Sequence, residues 1–258
     1  MSEQRKEQWK KAGKNAVFFV VYFAVFLLVW TLVCKMVKND YIFPTIGQVF
    51  DEIGKLLAEP FFYRSFFSSF LRAMGAFGIS FVLATLFAVL AKIFPIIERV
   101  VAPIVAVMRS LPTMAITLFL LLWATPSGAP VVVAVLALFP LLYTGIGAAI
   151  RTVDKDLEEL CKVYRVPRKK QIFSMYLPIA SPYILREATG GASFSLKLVV
   201  SAEVLASTLV SLGGMIQNSS IYMPASRTMA LAFVVVLVGL LIEGLGILLA
   251  RLIERRVQ

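Results

Sequence analysis

The sequence predicts an all-α integral membrane protein of about six transmembrane helices, with both termini cytoplasmic and a helical cytoplasmic loop between the fourth and fifth helices. Three observations lead there. Of the 258 residues, 59% are hydrophobic and 16% charged, which is more apolar surface than one soluble core of that size buries. The apolar residues fall in runs of about 20, the length that crosses the hydrocarbon layer at about 1.5 Å per residue. The net charge of +11 is carried by Lys and Arg gathered between those runs, which fits membrane topology; a nucleic-acid binder would collect them on one polar face.

The first run, residues 15–37, follows a basic segment, residues 1–14, and is too long for a signal-peptide core, so it is expected to be a retained first helix behind a cytoplasmic tail. Residues 15–258 then form one transmembrane domain. Residues 38–67 mix charge, Pro44, Pro60 and aromatic side chains, and the weakly amphipathic stretch VFDEIGKLL predicts a short interfacial helix on the outer face. The aromatic run Phe61 to Phe67 reads as an interfacial anchor. Further spans are predicted at 68–91, 101–123, 130–150, 187–209 and 228–250. The fifth is the least apolar, since it contains Lys197 and Glu203 among several Ser and Gly.

Orientation follows from the basic residues, which resist translocation. They concentrate in three places: the N-terminal segment, the connection from Arg151 to Arg186, and the C-terminal segment with Arg251, Arg255 and Arg256. All three share a side only if the number of helices between them is even, as six helices provide. The connection TPSGAP has no charge, and the stretch from Ser207 to Ser226 has neither Lys nor Arg, as expected of the outer side.

The loop at about 151–183 has helical patterning where a linker composition would be expected. From Asp154, carboxylates occupy the first turn, with Lys162 and Arg165 in the last, the order that a helix dipole favours. Leu157, Leu160, Cys161 and Tyr164 fall at i, i+3, i+4 and i+7, which predicts one apolar face. Pro167 disfavours the helical region at Val166 and presets a new helix, so two helices meet at a sharp corner. The same basic residues also suit a plain positive-inside anchor.

Chemistry of other kinds is poorly supplied. The chain has no His, and its two cysteines, Cys34 and Cys161, lie far apart, so neither a zinc spacing nor a disulfide framework is available and no metal site is expected. No Walker-type Gly-x-x-x-x-Gly-Lys-Ser/Thr motif is present, which places any nucleotide site on another chain. The candidates for a pathway or gate are ionisable or helix-breaking residues at membrane depth: Arg109, Ser110 and Pro112 on the third span, and Lys197 and Glu203 on the fifth. Lys197 and Glu203 lie about 240° apart on a straight helix, so each needs a partner elsewhere. Arg72 and Glu243 lie nearer span ends and read as interfacial.

The stretch ELCKVYRVPRKKQIFSMYLP, Glu159 to Pro178, resembles the EAA loop of ATP-binding-cassette importer permeases, which has a Glu, two small residues, a Gly six positions after the Glu and a hydrophobic-Pro pair, here Leu177-Pro178. Other segments resemble the nitrate, sulfonate and taurine branch: FPTIGQVF, Arg72 with Gly75, Pro103, MRSLPTMAITLFLLLW, SLKLVVSAEVLAS and GGMI. Leu160 and Cys161 depart from the two Ala, Arg165 stands at the Gly, and Thr117 and Ala124-Thr125 stand where the family often has Pro and Phe-Gly. A positive φ at that corner would make Arg165 a costly choice.

The resemblance implies a passive permease subunit without catalytic residues or cofactor of its own. Its loop (Leu157, Glu159, Leu160, Cys161, Tyr164, Arg165, Pro167, Leu177, Pro178) would couple it to a partner ATPase that holds ATP and Mg. The implied partners are a second permease copy, two ATPase subunits, an extracytoplasmic solute-binding protein and membrane lipid, with no nucleic acid. The implied location is the bacterial inner membrane, and the solute a small anion such as nitrate, sulfonate or taurine. Two rival readings stay open: an ATP-independent secondary transporter or channel, which favours intramembrane carboxylates or an inverted repeat, and a membrane scaffold with a docking loop.

Overall fold

The computed structural model describes residues 18, 21, 22, 24–37, 39, 41–222 and 224–257, with the side chains of residues 155, 169 and 253–257 left aside. The predicted tail 1–14 and the start of the first predicted span lie outside the described residues. All regular structure among the described residues is helical. In chain order the helices are α1 (Ala24–Val37), α2 (Ile46–Ala58), α3 (Pro60–Ile93), α4 (Pro95–Ser110), α5 (Thr113–Leu120), α6 (Ala129–Arg151), α7 (Lys155–Val163), α8 (Arg168–Gln171), α9 (Leu177–Ala206), α10 (Leu212–Tyr222) and α11 (Ala225–Val257).

Local chemistry sets most of these boundaries. Thr45 caps α2 through a reciprocal box with Gln48. Glu59 then turns the chain, and Pro60 opens α3, its fixed φ suiting a first helical turn. The aromatic run 61–67 therefore lies inside α3, which starts eight residues before the predicted second span, and Phe62 is buried within the bundle. Leu111 takes an extended conformation before Pro112, as a residue preceding proline prefers, and the chain bends by 90° between α4 and α5. The predicted third span, 101–123, is thus two helices, while the fourth, 130–150, matches α6 closely.

The fifth and sixth predicted spans begin late. α9 starts at Leu177, ten residues earlier than predicted, because a π-helical turn, Ile172–Tyr176, carries α8 into it without a break. Pro178 lacks the N–H that Ser174 would accept, and widening the ladder to i+5, as in the bond from Leu177 N–H to the Ile172 carbonyl, accommodates that loss. Pro182 likewise deprives the Pro178 carbonyl of its donor, and the Ser181 hydroxyl donates to it instead at 2.8 Å. The two loop helices are therefore α7 and a continuous α8–α9 rod.

α3, α6, α9 and α11 build the core. Ser65, Ser69, Ala73, Ala76, Ser80, Ala84, Ala88 and Ala91 form a buried stripe of small side chains along α3, against which α6 and α9 approach closely. Hydroxyls add interhelical bonds: Ser195 donates to the Ala73 carbonyl at 2.6 Å and Ser193 to the Gly239 carbonyl at 3.0 Å. By length and apolar composition α3, α6 and Ala225–Leu252 of α11 can cross a membrane, with the bent α4–α5 pair a fourth. α9 is long enough, but Arg186, Glu187, Lys197 and Glu203 lower its mean hydropathy; α1 is described over only 14 residues.

Candidate functional site

Asp154 caps α7 by accepting from the Asp156 N–H at 3.1 Å, with Asp156 and Glu158 in the first turn and Lys162 in the last. The helix presents two faces. Leu157, Leu160, Val163 and Tyr164 project outward, the last two 77% and 76% exposed, and Glu159 is exposed beside them. Cys161 departs from the predicted apolar face: its Sγ lies 3.6 Å from Met175 Sδ, on the side toward the bundle. A further link of α7 to the bundle runs through Glu158, whose carboxylate accepts from Lys92 Nζ at 2.8 Å. That hydrogen bond holds the Glu158 carboxyl below its ordinary value. Lys92 also sits 5.2 Å over the Tyr176 ring, and burial together with the Glu158 charge pushes the Tyr176 phenol up to about 12.

The end of α7 shows what Arg165 does. Val166 N–H donates to the Cys161 carbonyl at 2.9 Å and Arg165 N–H to the Lys162 carbonyl at 3.1 Å, the paired bonds of a Schellman cap. Such a cap needs a left-handed residue, and Arg165 supplies it with φ 49°. Pro167 then starts the next helix, accepting from Gln171 N–H at 3.1 Å. Leu177 and Pro178 form the junction of the π turn with α9.

Within the bundle, Glu203 is fully buried. Its carboxylate accepts from Arg72 at 2.6 Å, from the Ser69 hydroxyl at 2.7 Å and from the Gly213 N–H at 3.2 Å. Ser69 accepts in turn from Leu212 N–H at 2.8 Å, and Arg72 donates to the Val210 carbonyl. This one network ties α3, α9 and the N-terminus of α10. Arg72, expected at an interface, is instead the counter-ion of a buried carboxylate, its side chain only 16% exposed. Gly213 permits the close approach, since a Cβ there would meet Glu203 Cβ and lie 2.6 Å from both Val200 O and Val204 N.

Arg109, Ser110 and Pro112 are exposed around the α4–α5 break, Ser110 donating to the Val107 carbonyl at 2.8 Å. Beneath the break a cavity of about 380 Å³ opens between α5, α6 and α9, lined by Thr113, Thr117, Val133, Ser201 and Leu205 among others. Lys197 is exposed on α9 with no hydrogen bond or ion pair among the described residues. The candidate residues therefore separate into a loop helix at one end, a break in mid-bundle and a buried clamp.

Binding-protein-dependent transport system inner membrane components, as a family, match residues 80–258. The chain belongs to this family. It is a permease of an ATP-binding-cassette importer, a helical membrane protein of transmembrane transport. No curated protein sequence matches it. Its fold is similar to an amino acid ABC transporter solved with histidines, at a TM-score of 0.65 and 19% identity over 74% of this chain and 94% of that one. It is also similar to the MetNI methionine ABC transporter in inward facing conformations. One crystal form gives a TM-score of 0.64 at 18% identity, covering 74% of this chain and 95% of that one. A second gives 0.59 at 19%, covering 73% and 92%. These likenesses, at such identities, concern the fold; they lie with methionine and amino acid transporters and not with the nitrate, sulfonate and taurine branch.

Three residues of this permease's sites, Ser69, Lys92 and Tyr176, carry no signal in the sequence, and a fourth, Arg72, reads there as interfacial. Glu203 signalled that a cation was needed, but the one that answers lies 131 positions away. Among the described residues no group of His, Cys, Asp or Glu is placed to hold a metal ion.

Proposed function

We propose that this permease crosses the bacterial inner membrane six times, through α1, α3, the broken α4–α5 pair, α6, α9 and α11, with both termini cytoplasmic. α7 is its coupling helix. Two identical copies assemble with two ATPase subunits, which hold ATP and Mg, and with an extracytoplasmic solute-binding protein. The single observation that carries the coupling role is α7 itself: a capped helix whose Leu157, Leu160, Val163 and Tyr164 project away from the bundle with Glu159 at their rim. An apolar patch with a charged rim suits a buried contact with a partner. Arg165, Pro167, Leu177 and Pro178 fix the corner that aims it.

The solute is a small anion of the nitrate, sulfonate or taurine kind, a reading supported by the branch motifs from FPTIGQVF to GGMI. The α4–α5 break with Arg109, Ser110 and Pro112, and exposed Lys197, supply cations and open backbone along the pathway. Glu203 holds that pathway's outer end in shape. The test of coupling is co-purification of the tagged permease with its ATPase. Wild type retains the ATPase, and Leu160→Asp, at a half-exposed site on the outer face of α7, releases it. Retention by Leu160→Asp removes the outer face of α7 as the docking surface, and failure of wild type to bind any ATPase, with both proteins present and folded, removes the coupling role of this loop.

A further inference from the structure

α7 has no extensive backbone packing against the bundle. A partner pushing on its outer face therefore acts on the rest of the protein through the short connections at its two ends, residues 152–154 and 164–167, and through a few side chains, Cys161 against Met175 among them. On the inner face, Glu158 accepts from Lys92 Nζ at 2.8 Å, both side chains being roughly three-quarters shielded. Lys92 is the penultimate residue of α3, and its ammonium also lies over the ring of Tyr176, which ends the π turn leading into α9. A second basic side chain repeats the connection: Arg168 of α8 donates to the Ile93 carbonyl at 3.4 Å and lies 5.9 Å over the Phe94 ring. Thus the loop is fastened at two points to the corner between α3 and α4, residues 92–94. Beside these ties a cavity of about 400 Å³, lined in part by Val89, Pro95, Lys162 and Ile172, leaves space between the loop and the bundle.

We infer that Lys92 is a positioning residue for coupling: through Glu158 and Tyr176 it locks α7 to the cytoplasmic end of α3, so that the two helices move as one body. The inference deepens the coupling role proposed above and names the link that role requires. Arg at position 92 preserves the charge and reaches the same carboxylate; Ala leaves Glu158 and Tyr176 without a shared cation. Exchanging the charges, Lys92→Glu with Glu158→Lys, restores attraction between the two helices even though neither original side chain is present.

The experiment measures the distance between spin labels at Asp156 of α7 and Val82 of α3, both exposed. Cys34 and Cys161 are replaced by Ala in every sample, the reference called wild type included, so that the Cys161–Met175 contact is absent throughout and differences in width report the Lys92 link; labelled chains are diluted with unlabelled permease. Measurements are made on permease alone and on its complex with the ATPase, without nucleotide and trapped with Mg-ATP and vanadate. The expected result is one narrow distribution, unmoved by nucleotide, in wild type and Lys92→Arg. In Lys92→Ala and Glu158→Ala the distribution at least doubles in width while the ATPase still co-purifies, and in the charge-exchanged pair it narrows again. A distribution as narrow in Lys92→Ala as in wild type overturns the inference, as does a charge exchange that leaves both helices unlocked. Loss of the ATPase from Lys92→Ala alone also overturns it, since Lys92 would then serve docking. Failure of wild type to bind an ATPase removes the coupling reading itself, and the widths in permease alone still decide whether the lock exists.

Discussion

Replacing Arg72 by Met removes the counter-ion of Glu203 and leaves that carboxylate buried, with Ser69 at 2.7 Å and the Gly213 N–H at 3.2 Å as its remaining donors. Breaking a buried pair by deleting one partner costs about 3–5 kcal/mol, chiefly because the surviving charge is uncompensated. At about 2–4 °C per kcal/mol for a chain of this size, the apparent unfolding midpoint in detergent should fall by roughly 6–20 °C. The second substitution separates charge from packing. Glu203→Gln keeps an acceptor for Ser69 and Gly213 but carries no charge, and alone it costs about 1–3 kcal/mol, because Arg72 keeps the Val210 carbonyl and partial access to solvent. Combined with Arg72→Met it should recover at least half of the loss caused by Arg72→Met. The assay is the midpoint of the four proteins of this cycle, read by tryptophan fluorescence at one heating rate. Additive effects, with the double variant losing the sum of the single losses, would refute the claim that Arg72 and Glu203 form one charge-compensated unit.

Arg165→Gly should stabilise the loop corner by about 1 kcal/mol, because a left-handed residue with a side chain costs roughly 1–2 kcal/mol and Gly returns part of that as chain entropy. Slower proteolysis at 163–167 is the measurement, and faster cleavage would count against a strained φ. Gly213→Ala should cost more than 2 kcal/mol by analogy with overpacked cores, since two of the atoms it meets are backbone; a midpoint within about 2 °C of wild type would contradict the packing. Glu158 has its folded value below the ordinary 4.5, so its contribution is present above that pH and is lost as pH falls through the lower folded value. The midpoint penalty of Glu158→Gln, on the order of 0.5–1 kcal/mol at neutral pH, should therefore shrink as the pH is lowered past that window, and a penalty that grows with acidity would show the sign to be wrong.

The spans most legible in the sequence are those whose interior is uniformly apolar. α6 is the clearest, with its boundaries one residue from those predicted, because Pro130 and Arg151 mark its ends in composition as well as geometry. α3 and α9 both begin earlier than their apolar runs, since a helix continues through polar or aromatic residues wherever a preceding Pro60 or a π turn starts it. Pro112 was visible as a helix breaker, but its result, a 90° turn, depends on α5 lying against α6 and α9. Glu203 announced its need without naming its partner, because an ion pair between helices is fixed by packing and leaves no local spacing. In α7 the period identified the helix. Which of its adjoining side chains point outward depended on Met175 being there to receive Cys161.

α3 links the loop helix to the buried carboxylate. At about 1.5 Å per residue its 34 residues span roughly 50 Å, and no proline interrupts it after Pro60. Lys92 sits at one end and Arg72 twenty residues away, so the tie to the loop helix and the tie to the buried carboxylate are made on one uninterrupted rod. The neighbouring α4–α5 pair is built in the opposite way, with Pro103 within α4 and a right-angle break before Pro112. A force delivered at Lys92 meets little compliance along α3, whereas α4 and α5 have a hinge at the depth of the cavity lined by Thr113 and Thr117. On the coupling role proposed above, rearrangement in response to the loop falls on the broken helix, while α3, α9 and α10 stay joined through Glu203. The Arg72 cycle and the Lys92 labels test the two ends of that rod separately. A protein with a loosened clamp but an intact lock should keep α7 aligned with α3 while α10 drifts from α9, an outcome that a diffuse, evenly compliant bundle does not produce.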